Sequence, residues 1–209
     1  MAARRRRPTA GVGARDTLTL LALALCAPGV GGGALEWYSA VVSIEYVDPQ
    51  SNMTVWSVSE SGRFGDSSPR EDKQGLVGVP RAEGDEEGCA PDTRFVAPGS
   101  LGAAPWVALV ARGGCTFKDK VLAAARKNAS AVVVYNQERY GNATEPMSHA
   151  GEQAGAGASL VVFPGGTGKT VVIMISYPKG REIFDLVQKG IPVKMSIAIG
   201  ARHMQEFIS

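Results

Sequence analysis

Histidine and cysteine are scarce in this sequence, which contains two His and three Cys in 209 residues. These two residue types supply most ligands of four-coordinate zinc sites, so the chain offers few candidates for such a site. The hydrolase patterns G-x-S-x-G and H-E-x-x-H are also absent from the sequence. The composition therefore argues against the common serine hydrolases and zinc proteases.

The sequence also lacks an apolar run of the roughly 20 residues that a membrane-spanning helix needs. Near the N-terminus, five Arg precede the shorter run TLTLLALALCA, and the small residues of PGVGGGAL follow it. This order predicts a secretory signal peptide over residues 1–33, with a buried core helix as the alternative. We therefore expect a protein of the secretory or endosomal lumen, or a secreted one.

The excess of basic residues lies in that N-terminal segment. Removal of its five Arg and one Asp changes the formal charge of +2 to −2, with 17 basic and 19 acidic side chains left. A nucleic-acid-binding protein usually presents a strongly basic surface. The mature part has no such excess, so we expect no nucleic-acid partner.

Two cysteines remain after the signal peptide, because Cys26 lies within it. Cys89 and Cys115 form an even pair in an oxidising compartment, where disulfides persist. The sequence therefore predicts a bond between them, closing a loop of about 25 residues. Two free thiols or a pair of metal ligands are the alternatives.

Three N-glycosylation sequons occur in the predicted mature chain, at Asn52, Asn128 and Asn142. None has Pro in its middle position, so each is a competent acceptor in a secreted protein if it is exposed. Each lies beside a predicted turn or the end of an element. We expect surface glycosylation, and the alternative is that the tripeptides occur by chance.

Residues 37–105 predict a β-rich first half. The stretches 37–47 and 54–58 are rich in β-branched and aromatic residues and predict a β-hairpin. Residues 59–105 are rich in Gly, Pro, Ser and acidic residues, with one short apolar strand candidate at 75–79. We expect a long irregular loop over 59–105, and long loops of this kind often carry binding sites.

The second half predicts two strand–helix–strand units. In the first, strands at 106–110 and 131–136 flank an amphipathic helix at 117–128. In the second, strands at 171–176 and 193–200 flank a helix. The helix faces predicted to be buried are Val121, Leu122 and Ala125 in the first, and Ile183, Leu186 and Val187 in the second.

Proline and glycine mark the ends of the second helix: Pro178 can open it and Gly190 can terminate it. The whole chain contains 26 Gly and 12 Pro, which disfavours a helical bundle. The predicted fold is a mixed α/β domain, with a β-rich sheet partly closed on itself and two helices packed outside it.

Residues 164–170, PGGTGKT, are similar to the phosphate-binding loop of nucleotide hydrolases. That loop requires G-x-x-x-x-G-K-[ST], and Phe163 occupies the position of its first glycine. Lys169 and Thr170 also precede VVIMIS, which is typical of a strand, whereas a phosphate-binding loop opens a helix. We therefore expect no nucleotide and no other cofactor in this chain.

An enzymatic alternative remains open from the residues alone. A lumenal hydrolase would use Cys115 with His149, and a nucleotide-binding enzyme would use Lys169. A cysteine nucleophile requires a free thiol, which the predicted disulfide removes. The sequence disfavours both versions, and no catalytic residue is assigned.

The stretch WVALVARGGCTFKDKVLAAARKNASAVVVYN resembles the core motif of protease-associated (PA) domains: a strand, an R-G-x-C-x-F turn, a helix with an internal Lys and a second strand. The chain is most similar to the PA domains of the PA–transmembrane–RING ubiquitin ligases, in the Goliath and GRAIL branch. The resemblance implies a PA-domain fold over residues 34–204, with Cys89 and Cys115 at the positions that pair in this family.

The resemblance also implies a function, the binding of protein substrates in the lumen, while a cytoplasmic RING recruits the ubiquitin-charged enzyme. Residues 205–209 are interpreted as the remnant of a juxtamembrane segment, because a membrane helix is expected next. Zinc is expected only in the RING, which this sequence lacks. Residues 151–169 exceed the short turn expected of the family and are interpreted as a Gly-rich insertion.

Overall fold

A computed structural model of this chain describes residues 34–81, 84–99, 101, 104–147 and 169–206. The predicted signal peptide, residues 1–33, lies outside the described residues. So do His149 and, except for Lys169, the predicted insertion at 151–169. Strands are the commonest regular element of the described residues, which also form two α-helices.

The elements follow one another in the order that the sequence patterns predict, with one additional short strand, β4, in the first half. They are β1 (Ala34–Val47), β2 (Thr54–Phe64), β3 (Lys73–Pro80), β4 (Phe95–Val96), β5 (Trp106–Ala111), α1 (Phe117–Ala125), β6 (Ala131–Tyr135), a 3-10 turn (Glu138–Tyr140), β7 (Val171–Ile175), α2 (Tyr177–Gln188) and β8 (Lys194–Glu206).

Seven of the strands form a closed barrel in the order β3-β5-β6-β7-β2-β1-β8, and β8 returns to pair with β3. The neighbours from β3 through β5 and β6 to β7 are parallel, and the other neighbours are antiparallel. The prediction of a mixed α/β fold with two helices is confirmed. Closure is complete in the structure, and the short β4 pairs with β3 beside the barrel.

The central parallel strands are apolar along their whole length because both of their faces are buried. On one face, Val133 and Ile173 belong to a core that includes inward side chains of β1 and β8. On the other face, Val132 and Val172 belong to a second core that includes Val121 of α1. The side chains of the continuous apolar runs AVVVY and VVIMI therefore pack into both cores, one on each face of the sheet.

Helix α1 begins at a capping box, in which Thr116 accepts a hydrogen bond from the backbone N–H of Asp119 and the Asp119 carboxylate accepts one from Thr116. The predicted face was partly wrong, because Leu122 is 37% exposed and Lys120 is fully buried. The alanines of this helix are too small and too uniform to indicate which side faces the sheet. The helix also ends at Ala125, three residues earlier than predicted.

Helix α2 follows its predicted boundaries closely. Pro178 lies in its first turn, and Gly190 just beyond its end adopts a φ of 83°, the left-handed conformation of a C-terminal cap. Ile183 and Val187 are buried as predicted, and Phe184 joins them in the core shared with β1 and β8. Leu186 is only partly buried against that core.

One other prediction requires correction. The sequence predicts an irregular loop over 59–105 with one strand candidate at 75–79, but β2 continues to Phe64 and β3 extends that candidate to Lys73–Pro80. β2 lengthens by pairing with its neighbour β1, whereas β3 pairs with β8, which lies far away in sequence. The two strands of the second unit are present as predicted, as β7 and β8, and β8 pairs with β1 and β3.

The close packing of α2 against β6 can be tested by a substitution at Gly180. A Cβ atom on Gly180 would overlap the Tyr135 side chain. Glycine to alanine in a helix interior is usually stabilising by about 1 kcal/mol, but overpacking costs about 1 to 3 kcal/mol. We expect Gly180→Ala to lower the free energy of unfolding in urea, and the exposed control Gln188→Ala to leave it within about 0.5 kcal/mol. A stabilised Gly180→Ala variant would contradict the packing described.

Candidate functional site

The loop at residues 84–94 is joined to the turn before α1 by a disulfide between Cys89 and Cys115, whose Cα atoms are 5.7 Å apart. The predicted bond is therefore present. It excludes Cys115 as a free thiolate nucleophile, so the hydrolase alternative loses its attacking group. The other proposed member of that pair, His149, lies outside the described residues.

A buried lysine lies directly beneath this disulfide. The Lys120 ammonium donates hydrogen bonds of 2.7 Å to the backbone carbonyls of Glu87 and Gly113, and its Nζ lies 3.6 Å from the Sγ of Cys89. Burial lowers the pKa of Lys120 to about 8, against the opposing attraction of the Glu87 carboxylate. One side chain thus ties together the same two loops that the disulfide joins.

The two glycines before Cys115 are required by this arrangement. Gly113 and Gly114 adopt φ values of 128° and 69°, which L side chains rarely adopt. A Cβ on Gly113 would lie 2.6 Å from the Glu87 carboxylate, and one on Gly114 would overlap it. The R-G-G-C turn therefore needs glycine both for its backbone conformation and for the close approach of Glu87.

Glu86 anchors the other side of the same loop. Its carboxylate accepts a 3.1 Å hydrogen bond from the Tyr135 hydroxyl and a 2.9 Å bond from Arg181, which also donates to Asp185. Burial raises the pKa of Tyr135 above its usual value, so the hydroxyl stays neutral and able to donate. Glu86 and Lys120 both hold the loop in place. Together with the Cys89–Cys115 disulfide they form a cluster whose role is structural.

A groove lies beside β4, within and next to the predicted contact region. Its floor is aromatic: the rings of Phe95 and Trp106 have centroids 5.2 Å apart, and the Trp106 indole N–H donates to the Lys127 carbonyl at 3.1 Å. The cavity has a volume of about 320 Å³. We call it the basic groove, and its lining residues are Arg81, Arg94, Phe95, Val96, Leu101, Trp106 and Lys127.

A second cavity of about 430 Å³ continues from the basic groove and shares Arg81 and Arg94 with it. Its other walls include Asp85, Asp92 and Thr93. The two arginines therefore stand between an acidic end and a basic, apolar end. Asp85, Asp92 and Arg94 of this surface lie in the loop that the disulfide and Lys120 hold against the barrel. The aromatic floor belongs to β4 and β5.

The residues proposed for catalysis are not brought together by the described structure. Lys169 is exposed in a turn, and the strand β7 begins two residues later, where a phosphate-binding loop would need a helix. Among the described residues, no three His, Cys, Asp or Glu side chains lie close enough to hold a metal ion. In this same part of the chain, neither helix is long and apolar enough to cross a membrane.

The three sequon asparagines are all exposed. Asn52 lies in the β1–β2 turn with a φ of 52°, Asn128 follows α1 with a φ of 62°, and Asn142 follows the 3-10 turn. Exposure is what a glycan requires. Occupancy of the three sites stays a prediction.

Removal of the disulfide tests how strongly the loop depends on it. We expect the double variant Cys89→Ala/Cys115→Ala to unfold at lower urea concentration, losing about 3 to 4 kcal/mol through the greater entropy of the unfolded chain. Thiol titration of residues 34–209 with both cysteines unchanged should find no free thiol. One reactive thiol per cysteine in the native protein would contradict the assignment.

The lowered pKa of Lys120 predicts a pH-dependent stability. Above pH 8 the native protein releases this proton, whereas an unfolded lysine keeps it to about pH 10.4. The unfolded state then binds more protons, so the free energy of unfolding should rise by about 2 kcal/mol between pH 7 and pH 9.5. Urea unfolding of the wild type and of Lys120→Met, which lacks the titrating group, isolates this contribution. Equal pH profiles would refute it.

The relation to known proteins agrees with this geometry. The PA domain family matches residues 73–183, which include β3 to most of α2 and therefore the whole disulfide-bonded cluster. Among solved structures, an aminopeptidase from Aneurinibacillus sp. strain AM-1 aligns with a TM-score of 0.48 at 16% identity, covering 84% of this chain and 35% of that one.

Two relatives are more similar in sequence. The chain is 80% identical over 207 residues to E3 ubiquitin-protein ligase RNF149 of Mus musculus, covering 99% of this chain and 49% of that protein. It is 36% identical over 184 residues to RING finger protein 150 of Mus musculus, covering 83% of this chain and 38% of that protein. The chain therefore spans less than half the length of these curated relatives.

These matches confirm the resemblance of this chain to the PA domains of RING-type ubiquitin ligases. The R-G-G-C-T-F turn of the family motif contains Cys115, which forms the disulfide with Cys89. The turn is followed by α1, which carries the buried Lys120. With more than half of the chain matched, including that turn, this chain belongs to the PA domain family.

Proposed function

We propose that this chain is the lumenal, protein-binding PA domain of a membrane RING-type E3 ubiquitin ligase, and that it selects the proteins to be modified. The observation that carries the proposal is the 80% identity to an E3 ubiquitin-protein ligase over 99% of this chain. Ubiquitin transfer and its zinc-binding RING would belong to another part of a longer protein. The membrane would be reached through a helix that follows the domain.

The described structure supports the lumenal assignment. The Cys89–Cys115 disulfide is of the kind that persists in oxidising compartments and is rare in the cytosol. The exposed Asn52, Asn128 and Asn142 are available to the lumenal glycosylation machinery. Both features support a location on the side of the membrane opposite to ubiquitin, and a domain located there would act by binding.

The structure also offers a surface suited to binding. The loops around the basic groove are held by the disulfide and by Lys120, so they are preorganised on a rigid barrel. A preordered surface loses less conformational entropy when a partner binds. A partner protein in the lumen could then be held without a large rearrangement of this domain.

A domain exchange in the full-length ligase tests this function. We expect replacement of residues 34–204 by the matching PA domain of RING finger protein 150 to change which membrane and secretory proteins become ubiquitinated. Quantitative ubiquitin proteomics gives the readout. Self-ubiquitination controls for an intact RING, and glycan maturation controls for correct folding of the chimera. An unchanged substrate set with both controls intact would show that the PA domain does not select substrates.

A further inference from the structure

We propose that the basic groove binds an extended acidic segment of a partner protein, with an apolar side chain seated against the Phe95–Trp106 floor and carboxylates paired with the surrounding cations. This inference rests on the proposed protein-binding function and adds the place and the chemistry of recognition. Three features of the basic groove support the proposal: its charge, its apolar floor and the backbone of β4.

Charge supplies the first argument. Residues 34–209 carry a formal charge of −2, yet the lining of the basic groove contains three cations and no acid. Arg81, Arg94 and Lys127 are exposed, and within the described part of the chain none of them forms an ion pair. Arginine forks pair with carboxylates in a bidentate manner. A concentration of unpaired cations on an acidic domain therefore complements an acidic ligand.

The apolar floor supplies the second argument. Val96 is 38% exposed at the rim, Phe95 and Leu101 are half-buried, and Trp106 is buried below them. The volume of about 320 Å³ lies near the lower end of the usual range for ligand sites. Such a cavity suits one apolar side chain together with its neighbouring backbone. Charge alone would not select for that side chain, so the floor restricts the ligand class.

The backbone of β4 supplies the third argument. β4 ends the strand order and pairs only with β3 among the described strands. A strand edge with unpaired N–H and C=O groups can accept an extended peptide as an additional strand. Because β4 itself lines the groove through Phe95 and Val96, such a peptide would place its side chains over the floor.

The neighbouring cavity limits where the acidic residues of the bound segment can lie. Beyond Arg81 and Arg94, its walls contain Asp85 and Asp92, which would repel carboxylates. Asp85 is partly engaged, because it accepts hydrogen bonds from the Cys89 N–H and the Thr93 hydroxyl at 3.4 Å each. The acidic residues of a bound segment should therefore lie over the basic groove and not extend past the two arginines.

A peptide-binding experiment tests the site directly. The probe is a fluorescent peptide with the sequence Gly-Glu-Leu-Asp-Glu-Gly, titrated against the glycosylated, oxidised chain purified from a secretory host. Two matched peptides replace the acids by Lys or the Leu by Ser. We expect at least 10-fold weaker binding of each matched peptide, and weaker binding of the probe as salt rises from 50 to 300 mM.

Variants of the protein locate the binding. We expect Arg81→Glu/Arg94→Glu to weaken binding of the probe at least 10-fold, and the milder Lys127→Gln to weaken it several-fold. The control Arg126→Glu changes the charge one residue from Lys127, outside the groove lining, and should have little effect. Thermal unfolding reports whether each variant is folded; if the double variant is not, Lys127→Gln decides the outcome.

Three results would overturn the proposal. The first is equal binding of the acidic and the Lys peptides, and the second is binding that the groove variants leave unchanged. The third is equally tight binding to phosphatidylserine vesicles or to a single-stranded oligonucleotide, which would indicate attraction to any anion. The full-length ligase separates this proposal from the proposed function.

If domain exchange alters the substrate set but the groove variants leave it unchanged, the groove is not the binding site. The proposed function of the PA domain would still stand.

Discussion

The closure of the sheet by β8 is the constraint on which the other features of the domain depend. β8 pairs with β1 along most of its length and with β3 at its beginning, which converts an open sheet into a barrel. Closure leaves none of the seven barrel strands at an open sheet edge and surrounds an apolar interior. It also fixes β3, and β3 in turn carries β4 and the basic groove.

The long loop after β3 becomes ordered through polar contacts that act together. The disulfide joins it to the turn before α1, Lys120 bonds the same two segments from below, and Glu86 reaches α2 through Arg181. The three contacts act on neighbouring residues, at Glu86, Glu87 and Cys89. In combination they place a charged and partly apolar surface against the barrel, and this surface is where the proposed function would reside.

The chemistry of this cluster differs from that of a catalytic site. Its lysine ammonium and its carboxylate are satisfied by fixed partners, and its cysteines are oxidised. The groups with unsatisfied charge lie outside it, at the rim of the basic groove. A rigid, satisfied cluster beneath an exposed cationic surface is an arrangement suited to holding a partner, because the polar groups that support the loops do not have to change their contacts on binding.

Local sequence patterns determined the elements whose signals lie within a few residues. The apolar runs of β5, β6 and β7, the hairpin β1–β2, and the Pro178 and Gly190 boundaries of α2 follow from propensity and periodicity. The pairing of Cys89 with Cys115 was predicted because only two cysteines follow the predicted signal peptide. The family was identified from one continuous motif at 106–136, in which the R-G-G-C-T-F turn lies between a strand and a helix.

Only the tertiary structure decided the features that depend on distant residues. β3 extends beyond its apolar run at 75–79 to begin at Lys73 because β8, more than 100 residues later, pairs with it, and no pattern within Lys73–Pro80 reveals that partner. Lys120 is buried because two backbone carbonyls from separate loops converge on it, whereas its sequence neighbours suggest a solvated helix face. The basic groove likewise brings Arg81, Arg94 and Lys127 together from three places in the chain. Such long-range convergence is set by packing, which local sequence does not encode.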